Sequence, residues 1–322
     1  MAQKISALIF SMNRVENVIK LANKLKDYVD EIVIVDQSSD QNYKKLKENL
    51  DFCNIYWIPP IGVAELYYKV GMSLCKYDWI LQFDDDEDVS VEDLKKIKHL
   101  TNDREAYRVK RANPTDKKFQ RIIRLYHKDS VVPTGLIHWV MAAKDNYEDV
   151  DFEIIHPPFQ SRRDLIRQLK KYAVIESYQW GLKIVRSVFS TYQKYEEAPE
   201  IIRSIARKIF KIQSKLGKFG WYLLATEYNL FMLFNGIYQS IKARVNPLYS
   251  LLYVLFIQWN ITKSFSRKYR VWMKMIEVGD PIKYMHLESL EDIKKLEKEL
   301  GLSKTEGLKN FIKIVEHFAG LG

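Results

Sequence analysis

The chain has 322 residues, of which 47% are hydrophobic and 13% aromatic, a composition that excludes a disordered protein and allows one large domain or two ordinary ones. Its net charge of +10 favours anionic partners, so nucleic acid, anionic lipid and phosphorylated small molecules all stay open on charge alone. The two cysteines, Cys53 and Cys75, are expected to be buried free thiols in a reducing compartment.

The first hundred residues alternate between strand-like and helix-like segments. We predict strands over 5–10, 31–35, 54–58 and 79–83, and helices over 16–26, 44–49, 64–75 and 92–99. This order predicts an α/β fold with an open, mostly parallel sheet that helices cover on both faces. Such folds bind ligands at the carboxyl ends of the strands, so Asn13, Asp36 and Asp84–Asp86 are expected to converge on one crevice.

Beyond residue 100 the pattern changes. Segments 106–109 and 121–126 are typical of antiparallel strands, and a short strand over 152–156 precedes a helix over 164–180. An aromatic-rich helical region over 201–270 and a charged amphipathic helix from residue 287 follow. We divide the chain into a nucleotide-binding and catalytic domain over 1–180 and a helical C-terminal region over 181–322.

No segment has the pattern of a membrane span or a signal peptide. The apolar stretch over 248–259 is shorter than the roughly twenty residues that a spanning helix needs. The N-terminus is too short and too polar at its borders for a signal sequence. We therefore expect a protein that is made in the cytoplasm and has no transmembrane segment.

Five consecutive acids, Asp84 to Asp88, follow the strand over 79–83. Carboxylates this close repel one another unless a cation lies among them. Side chains alternate along a strand, so Asp84 and Asp86 are expected to point one way and Asp85 the other. Two such oxygen ligands suit Mg²⁺ or Mn²⁺, which keep coordination sites for substrate phosphates. The alternative is a solvated acidic turn before a helix that starts near Ser90.

Three segments resemble the family 2 glycosyltransferases, which have a nucleotide-binding GT-A fold. They are the opening strand and turn (LIFSMNRVEN, 8–17), the second strand with its acidic-serine turn (DEIVIVDQSSD, 30–40) and the D-x-D segment (YDWILQFDDDE, 77–87). The resemblance implies a metal-dependent, inverting transfer of a sugar from a nucleotide-diphosphate donor. The acceptor would be a saccharide or a lipid-linked molecule.

The resemblance also implies roles for individual residues. Asp36 would accept a hydrogen bond from the imide N–H of the base, although such a residue can instead stabilise its own turn. Asp84 and Asp86 would together place the metal and the ribose, both as metal ligands with Asp86 favoured as the direct one, and the metal would neutralise the leaving diphosphate. Lys69 stands where the family usually has Arg-Asn and would replace part of that diphosphate contact. Further substrate contacts are expected from Asn13 and Glu16.

Residues 121–156 resemble a branch of the family that modifies lipid-linked or lipopolysaccharide acceptors. The matching segments are an R-x-x-R strand (Arg121, Arg124), a G-x-x-H loop that ends at His138 and an I-x-H segment that ends at His156. The two arginines are predicted to bind substrate. His156 is predicted to complete the metal shell or contact the diphosphate, against a purely structural role.

The branch usually has a glutamate, a candidate catalytic base, directly after the loop histidine. This chain has Trp139 there, and tryptophan cannot take the proton of an acceptor hydroxyl. The substitutes are Asp145, Glu148, Asp149 and His138. Asp149 or Glu148 is favoured because this acidic pair immediately precedes the next strand.

The apolar helices between Trp221 and Trp259 mix aromatic rings with basic residues, a pattern that suits a membrane–water interface. The basic residues are Lys242, Arg244, Lys263, Arg267 and Lys268. A lipid-linked acceptor would place the reaction there, so we predict a peripheral protein on the cytoplasmic face of an anionic membrane. An ordinary helical core or a dimer interface is the alternative.

Three other functions are weighed against this prediction. A sugar-nucleotide nucleotidyltransferase shares the sheet and the acidic site but carries a glycine-rich phosphate loop, and residues 11–17 contain no glycine. A nucleic-acid-binding protein is disfavoured because no such motif is present and an acidic crevice repels phosphate backbones, so no nucleic-acid partner is expected. A catalytically decayed binding protein stays open because of Trp139.

Overall fold

The computed structural model describes residues 3–101, 105–112, 119–144, 147–157, 161–189, 200–242 and 247–321. The strands in these ranges, β1 to β10 in chain order, are Ile5–Ser11, Glu31–Asp36, Asn54–Trp57, Trp79–Asp84, Asp88–Val89, Ala106–Ala112, Phe119–His127, Val131–Leu136, Trp139–Ala143 and Glu148–Ile155. The helices, α1 to α12, are Val15–Leu25, Asp40–Asn49, Tyr68–Leu74, Val91–Leu100, Arg162–Phe189, Glu200–Gln213, Gly217–Lys242, Leu248–Lys263, Phe265–Val278, Pro281–Tyr284, Leu290–Leu300 and Gly307–Phe318.

Eight strands form one sheet in the order β3-β2-β1-β4-β7-β6-β10-β5, and β8 pairs with β9. Neighbours β3, β2, β1 and β4 are parallel, β7 is antiparallel to both β4 and β6, and β10 is parallel to β6. The predicted α/β class with a mostly parallel sheet is therefore confirmed, as is the antiparallel pair after residue 100. The helical C-terminal region is also confirmed.

Strand β1 is buried along its whole length, as expected for a parallel strand that helices cover on both sides. Helix α1 packs its apolar face, including Val18, Leu21 and Leu25, into the same core. On α3, a Cβ added to Gly71 would lie 2.7 Å from Cζ of Phe10. The glycine is needed there because the helix approaches β1 too closely for a side chain.

Several element boundaries differ from those predicted. Helix α2 begins at Asp40 rather than at residue 44, because Asn13 Oδ1 accepts a hydrogen bond from the Ser39 N–H and the turn before the helix is held in place. The segment predicted as one helix over 64–75 starts with a 3₁₀ turn, and α3 begins only at Tyr68. Helix α5 continues to Phe189, well past the predicted end.

The described residues divide into two compact units. The first consists of Met1–Gly135, Trp139–Pro158 and His286–Asn310, and the second of Leu136–His138, Phe159–Met285 and Phe311–Gly322. The boundary predicted at residue 180 stays a prediction, and the late segment His286–Asn310 belongs to the first unit. In that segment, Asn310 Nδ2 donates to the Pro60 carbonyl at 2.8 Å and Lys304 Nζ lies 3.1 Å from Asp40.

The core of the second unit is aromatic. Trp180, Trp221 and Trp272 are all buried in it, and a Cβ on Gly181 would lie 2.6 Å from Trp272. Lys268, which was expected at a membrane interface, is buried as well, and its Nζ donates to the Asn260 carbonyl. The helical-core alternative is therefore correct for these residues. Within the described ranges, no helix combines the length and hydrophobicity needed to cross a membrane.

Candidate functional site

The carboxyl ends of β1, β2 and β4 lie side by side in the first unit. Strand β1 sits between the other two, so the ends that carry Asp36 and Asp84 flank it. The backbone N–H of Met12, just after β1, donates to Asp85 Oδ2 at 2.6 Å. The convergence predicted for these strand ends is therefore confirmed.

Asp36 is fully buried at the end of β2. Its Oδ1 accepts a hydrogen bond from Ser38 Oγ at 2.6 Å, and that hydroxyl oxygen accepts one from the Asn13 N–H at 2.7 Å. Its Oδ2 has no partner among the described residues. Burial raises the pKa of the Asp36 carboxyl above its ordinary value. Since buried polar atoms are nearly always hydrogen-bonded, this oxygen is a ready acceptor for a ligand N–H.

The acidic run leaves the sheet in a turn. Strand β4 ends at Asp84, and the Glu87 N–H donates to the Asp84 carbonyl at 3.1 Å. Arg14 then contacts both neighbouring acids, with Nη1 2.8 Å from Asp86 Oδ2 and Nε 3.7 Å from Asp85 Oδ1. The expectation that Asp85 points away from Asp86 is therefore wrong, because side chains alternate only while the chain is extended.

Arg124 is buried, only 2% exposed, and holds two acids at once. Its Nη2 lies 2.5 Å from Asp84 Oδ2 and 2.8 Å from Glu87 Oε1, and Arg111 Nε donates to the same Glu87 oxygen at 2.6 Å. Burial raises the pKa of Asp84 to about 6 in spite of the Arg124 charge. Arg124 thus serves as an internal counter-ion through Nη2, while its buried Nε and Nη1 have no hydrogen-bond partner among the described residues, and its predicted contact with substrate stays a prediction.

The protein supplies its own cations to the acidic run. Every acid from Asp84 to Asp88 lies within 4.0 Å of a basic side chain, the set being Arg14, Lys20, Lys24, Arg111 and Arg124. Charge repulsion within the run therefore does not require a metal ion. Among the described residues, no three His, Cys, Asp or Glu side chains form a preassembled metal site.

Asp86 and His156 nevertheless form a pair that suits a divalent ion. His156 follows β10, and its Nε2 lies 3.5 Å from Asp86 Oδ1. Burial would raise the pKa of Asp86, but the hydrogen bond to His156 and the charges of His156, Arg14 and Arg111 outweigh it and lower that pKa to about 2. A carboxylate and an imidazole are ligand types of Mn²⁺, and an ion that also binds phosphate and water needs few protein ligands.

Asp84 has one oxygen left for a ligand. Its Oδ2 faces Arg124, whereas its Oδ1 is buried without a partner among the described residues. The donor set of Asp84, Asp86 and His156 therefore fits the expected ion and ribose, with Asp86 and His156 as the better-placed metal ligands.

The other predicted substrate contacts in the first unit are engaged with protein groups. Asn13, at a φ of 62°, accepts a hydrogen bond from the side chain of Asn42, and Glu16 pairs with Lys45 on the surface. Lys69 Nζ lies 2.9 Å from Glu288 Oε2. A phosphate would have to compete with Glu288 for that ammonium group.

The favoured catalytic bases lie far from the acidic turn. Asp149 receives two hydrogen bonds from Arg108, at 2.7 and 3.0 Å, and Arg108 holds the pKa of Asp149 below its ordinary value. Asp149 and Glu148 open β10, whereas His156 follows its other end, about 23 to 26 Å away at 3.3 Å per residue. Arg121 Nη1 donates to the Val150 carbonyl on the same strand. This geometry does not bring these three residues to the candidate site.

Asp145 lies outside the described residues, so that alternative base is left without a structural description. The side chain of Trp139 lies outside them as well, although its backbone begins β9.

His138 belongs to the second unit and is held by helix α5. Its Nδ1 lies 3.1 Å from Oε1 of the buried Glu176, which also pairs with Lys183, and the His138 side chain is half-exposed. Gln179 Oε1 accepts from the Ile137 N–H at 3.0 Å, and Lys183 Nζ donates to the Ile137 carbonyl at 2.8 Å. Burial opposes ionisation of Glu176, but Lys183 and His138 outweigh it and lower its pKa to about 2.

Sequence reasoning missed several residues of these clusters. Arg14 and Arg111 lie in segments whose basic character looked unremarkable. No local signal pairs Arg14 with acids more than seventy residues away, or Arg111 with an acid about twenty residues away. Glu176 and Lys183 did carry a signal, since two opposite charges stand seven residues apart on one face of an otherwise buried helix stretch.

Comparison with curated proteins finds relatives of one kind. An uncharacterized glycosyltransferase of Rickettsia felis is 32% identical over 100 residues, which are 30% of this chain and 34% of that protein. An uncharacterized glycosyltransferase of Rickettsia typhi is 28% identical over 141 residues, 39% of this chain and 47% of that protein. The matches thus span about a third to a half of these relatives. The predicted resemblance to glycosyltransferases is confirmed, and no protein-family model matches the chain.

Two kinds of solved structure are similar to the chain. S. aureus TarS 1-349 in complex with UDP-GlcNAc is 12% identical with a TM-score of 0.40, over 98% of this chain and 90% of that one. The 4-diphosphocytidyl-2C-methyl-D-erythritolsynthase of Anaerococcus prevotii is 14% identical with a TM-score of 0.37, over 52% of this chain and 94% of that one. With TM-scores this low, the assignment of the fold rests on the sheet topology itself.

Proposed function

We propose that this protein is a metal-dependent, inverting glycosyltransferase that uses a nucleotide-diphosphate sugar as donor. The observation that carries the proposal is that the strands ending at Asp36 and Asp84 flank β1, with Asp86 in the turn directly after Asp84. Asp36 offers a buried acceptor oxygen, and Asp86 offers an ionised carboxylate beside the His156 imidazole. The similarity to proteins named glycosyltransferases supports the same reading.

Different residues would bind different parts of the donor. Asp36 Oδ2 would accept the imide N–H of a uracil-type base, and Asp84 Oδ1 would bind the ribose. Asp86 and His156 would hold Mn²⁺ or Mg²⁺ against the diphosphate, and the bound ion would supply Lewis-acid stabilisation of the leaving group. Arg14 fixes the orientation of Asp86 through its contact at 2.8 Å.

His138 is the catalytic base that we propose in place of the glutamate replaced by Trp139. The Glu176 carboxylate lies 3.1 Å from Nδ1 of the half-exposed imidazole, and a carboxylate at one ring nitrogen sets the tautomer in which the other nitrogen can accept a proton. Inversion requires such a group to remove the hydroxyl proton. The acceptor would be a saccharide or a lipid-linked molecule, which would bring the protein to the cytoplasmic face of an anionic membrane as a peripheral protein.

Nucleotide binding gives the first test. In calorimetric titrations with UDP, GDP and dTDP, we expect one nucleotide to bind, and to bind more tightly with Mn²⁺ than with EDTA. Asp36→Asn should weaken that nucleotide roughly tenfold or more, since the asparagine amide presents a donor or a weaker, uncharged acceptor to the base. Asp40→Asn is the matched control, because Asp40 follows Asp36 by four residues, begins α2 and is exposed.

The proposal fails at this step if none of the three nucleotides binds with or without the metal. Equal binding by wild type and Asp36→Asn would remove Asp36 from the base contact while leaving the donor site itself in place.

The base is tested by comparing His138→Gln with Asp149→Asn. We expect His138→Gln to lower release of nucleoside diphosphate from the donor roughly 100-fold, which is typical for loss of a general base. Asp149→Asn should change turnover little, since Asp149 is occupied by Arg108 at the far end of β10. The measurement is the turnover number at saturating donor, with nucleotide binding checked to be unchanged. The reverse ranking would return the role to the acidic pair.

A further inference from the structure

Helix α6 presents an apolar stripe outward. Ile205, Ile209, Ile212 and Leu216 follow one another at intervals of three or four residues, which places them on one helical face. Leu216 belongs to the 3₁₀ turn that continues the helix. All four side chains are exposed, from 40% for Ile209 to 66% for Ile212. Four large apolar residues in a row on an exposed face mark an interaction surface.

The opposite side of α6 already has its partners. The Phe210 ring packs edge-on against Trp221, with centroids 5.5 Å apart, and against Phe189 at 5.1 Å. Arg207 Nε donates to the Val188 carbonyl. The helix is therefore fixed to the core of the second unit by one side, and the outward stripe is not a core face that has failed to pack.

Lysines flank the stripe on one side. With 100° between successive residues, Lys208, Lys211 and Lys215 project roughly 70° to 130° from the centre of the stripe. All three are exposed. Residues 201–226 contain six basic residues and no acidic one; Glu200 is the first residue of α6, and Glu227 accepts a hydrogen bond from Gln213 at 2.7 Å. Apolar side chains beside exposed lysines on a helix are the pattern of a surface that binds anionic membranes.

The next two helices add exposed apolar side chains in the same unit. Phe231, Phe234 and Tyr238 stand out from α7, and Leu255 and Trp259 stand out from α8. No charged residue occurs between 247 and 262. Tyrosine and tryptophan rings favour the headgroup region of a bilayer, where one end is apolar and the other wet.

We infer that the outward face of α6, formed by Ile205, Ile209, Ile212 and Leu216 with Lys208, Lys211 and Lys215, docks on an anionic lipid bilayer. The apolar stripe would enter the headgroup–acyl boundary while the lysine ammonium groups neutralise lipid phosphates. The inference assigns the proposed membrane contact to a particular surface. It rests on the proposed function only in one respect, namely that a lipid-linked acceptor would give the protein a reason to bind a membrane.

A second copy of the chain fits this face less well. A twofold interface would place the same patch against itself and bring the lysines of both copies together. Like charges at an interface repel, and no acidic residue stands between 201 and 226 beside these lysines. An anionic bilayer can bury the apolar stripe and also neutralise the lysines.

Vesicle co-sedimentation of the full chain tests the inference. Vesicles of phosphatidylcholine alone are compared with vesicles that also contain about 30% phosphatidylglycerol, which supply the negative surface potential. We expect binding only to the anionic vesicles, weakened by salt. The triple variant Lys208→Gln, Lys211→Gln, Lys215→Gln should bind roughly 100-fold more weakly, at about fivefold for each lysine. Ile209→Ser with Ile212→Ser should lower binding roughly tenfold.

Matched controls separate this face from general charge and hydrophobicity. Lys294→Gln, Lys295→Gln, Lys298→Gln removes three exposed lysines from α11, and Phe52→Ser removes an exposed ring from the first unit. Both should bind like wild type, and circular dichroism checks that every variant is folded.

Absence of wild-type binding to anionic vesicles at low salt would overturn the inference. So would equal losses in the α6 and α11 variants, or a sedimentation-velocity experiment in which the α6 variants dissociate a dimer while vesicle binding is unchanged. Nucleotide binding is measured on the same samples. If the chain binds vesicles but no nucleotide, the membrane-docking inference stands and the proposed function fails. If it binds nucleotide but no vesicles, the proposed function stands and the membrane-docking inference fails.

Discussion

Replacing Asp86 with asparagine is expected to abolish the Mn²⁺-dependent part of nucleotide binding and to lower donor turnover roughly 100- to 1,000-fold, the range seen when one group that stabilises developing charge is removed. The wild-type carboxylate is ionised at neutral pH, since burial would raise its pKa but the hydrogen bond to His156 and the charges of His156, Arg14 and Arg111 outweigh it and lower that pKa to about 2. Asparagine has nearly the same shape but carries no charge, so the variant tests the charge itself.

Asp88→Asn is the matched control for this experiment. Asp88 belongs to the same acidic run but pairs with Lys20 and Lys24 rather than with His156. Its loss should leave metal-dependent binding and turnover close to wild type. If both variants lost activity equally, the acidic run would act as a whole in the fold and Asp86 would have no special role. If neither did, the metal site would lie elsewhere.

Replacing Arg124 with methionine is expected to lower the free energy of unfolding by about 3–5 kcal/mol, the usual cost of removing one partner from a buried ion pair. Methionine fills much of the space but leaves the buried Glu87 and the partly exposed Asp84 with Arg111 as their remaining shared cation, 2.6 Å from Glu87 and 4.0 Å from Asp84. The loss is measured as a shift of the urea midpoint of the first unit's unfolding in the full chain.

Arg121→Met provides the comparison for this variant. Arg121 is the other arginine of the R-x-x-R strand, is partly exposed and donates to the Val150 carbonyl. Removing it should cost well under half as much, because solvent can replace the lost contact. Similar costs for the two arginines would contradict the view that Arg124 is a structural counter-ion. A large loss of nucleotide binding in a stable Arg124→Met variant would restore its predicted role in substrate binding.

Much of the first unit could be read from local patterns. The apolar run that ends in acids at Asp84 and the Ile-Val run that ends at Asp36 each identify a strand and its carboxyl end without any long-range information. Parallel order then follows from the alternation of strands and helices. The convergence of Asn13, Asp36 and the acidic run could be predicted for the same reason.

The partners of those acids could not be predicted. Arg14 and Arg124 reach the acidic turn from segments about seventy residues before it and forty after it, and a guanidinium in the sequence gives no sign of which carboxylate it will meet. The predicted repulsion among five acids was a sound electrostatic statement. Its conclusion depended on what the other strands placed nearby, and they placed arginines and lysines there.

The catalytic base shows the same limit in another form. Asp149 and Glu148 were favoured because they precede a strand, yet in a parallel sheet the start of a strand lies at the opposite edge from the ligand-binding ends. His138 was only one of four candidates until α5 placed Glu176 beside it.

The sequence by itself determined the α/β class, the strand ends that carry Asp36 and Asp84, and the resemblance to glycosyltransferases, because hydrophobic periodicity and short motifs act over a few residues. Only the tertiary structure decided which acids are neutralised, which helix holds His138, and which aromatic helices are core and which face outward. Those outcomes depend on residues that are distant in the chain and become neighbours only when the sheet and the helices have packed.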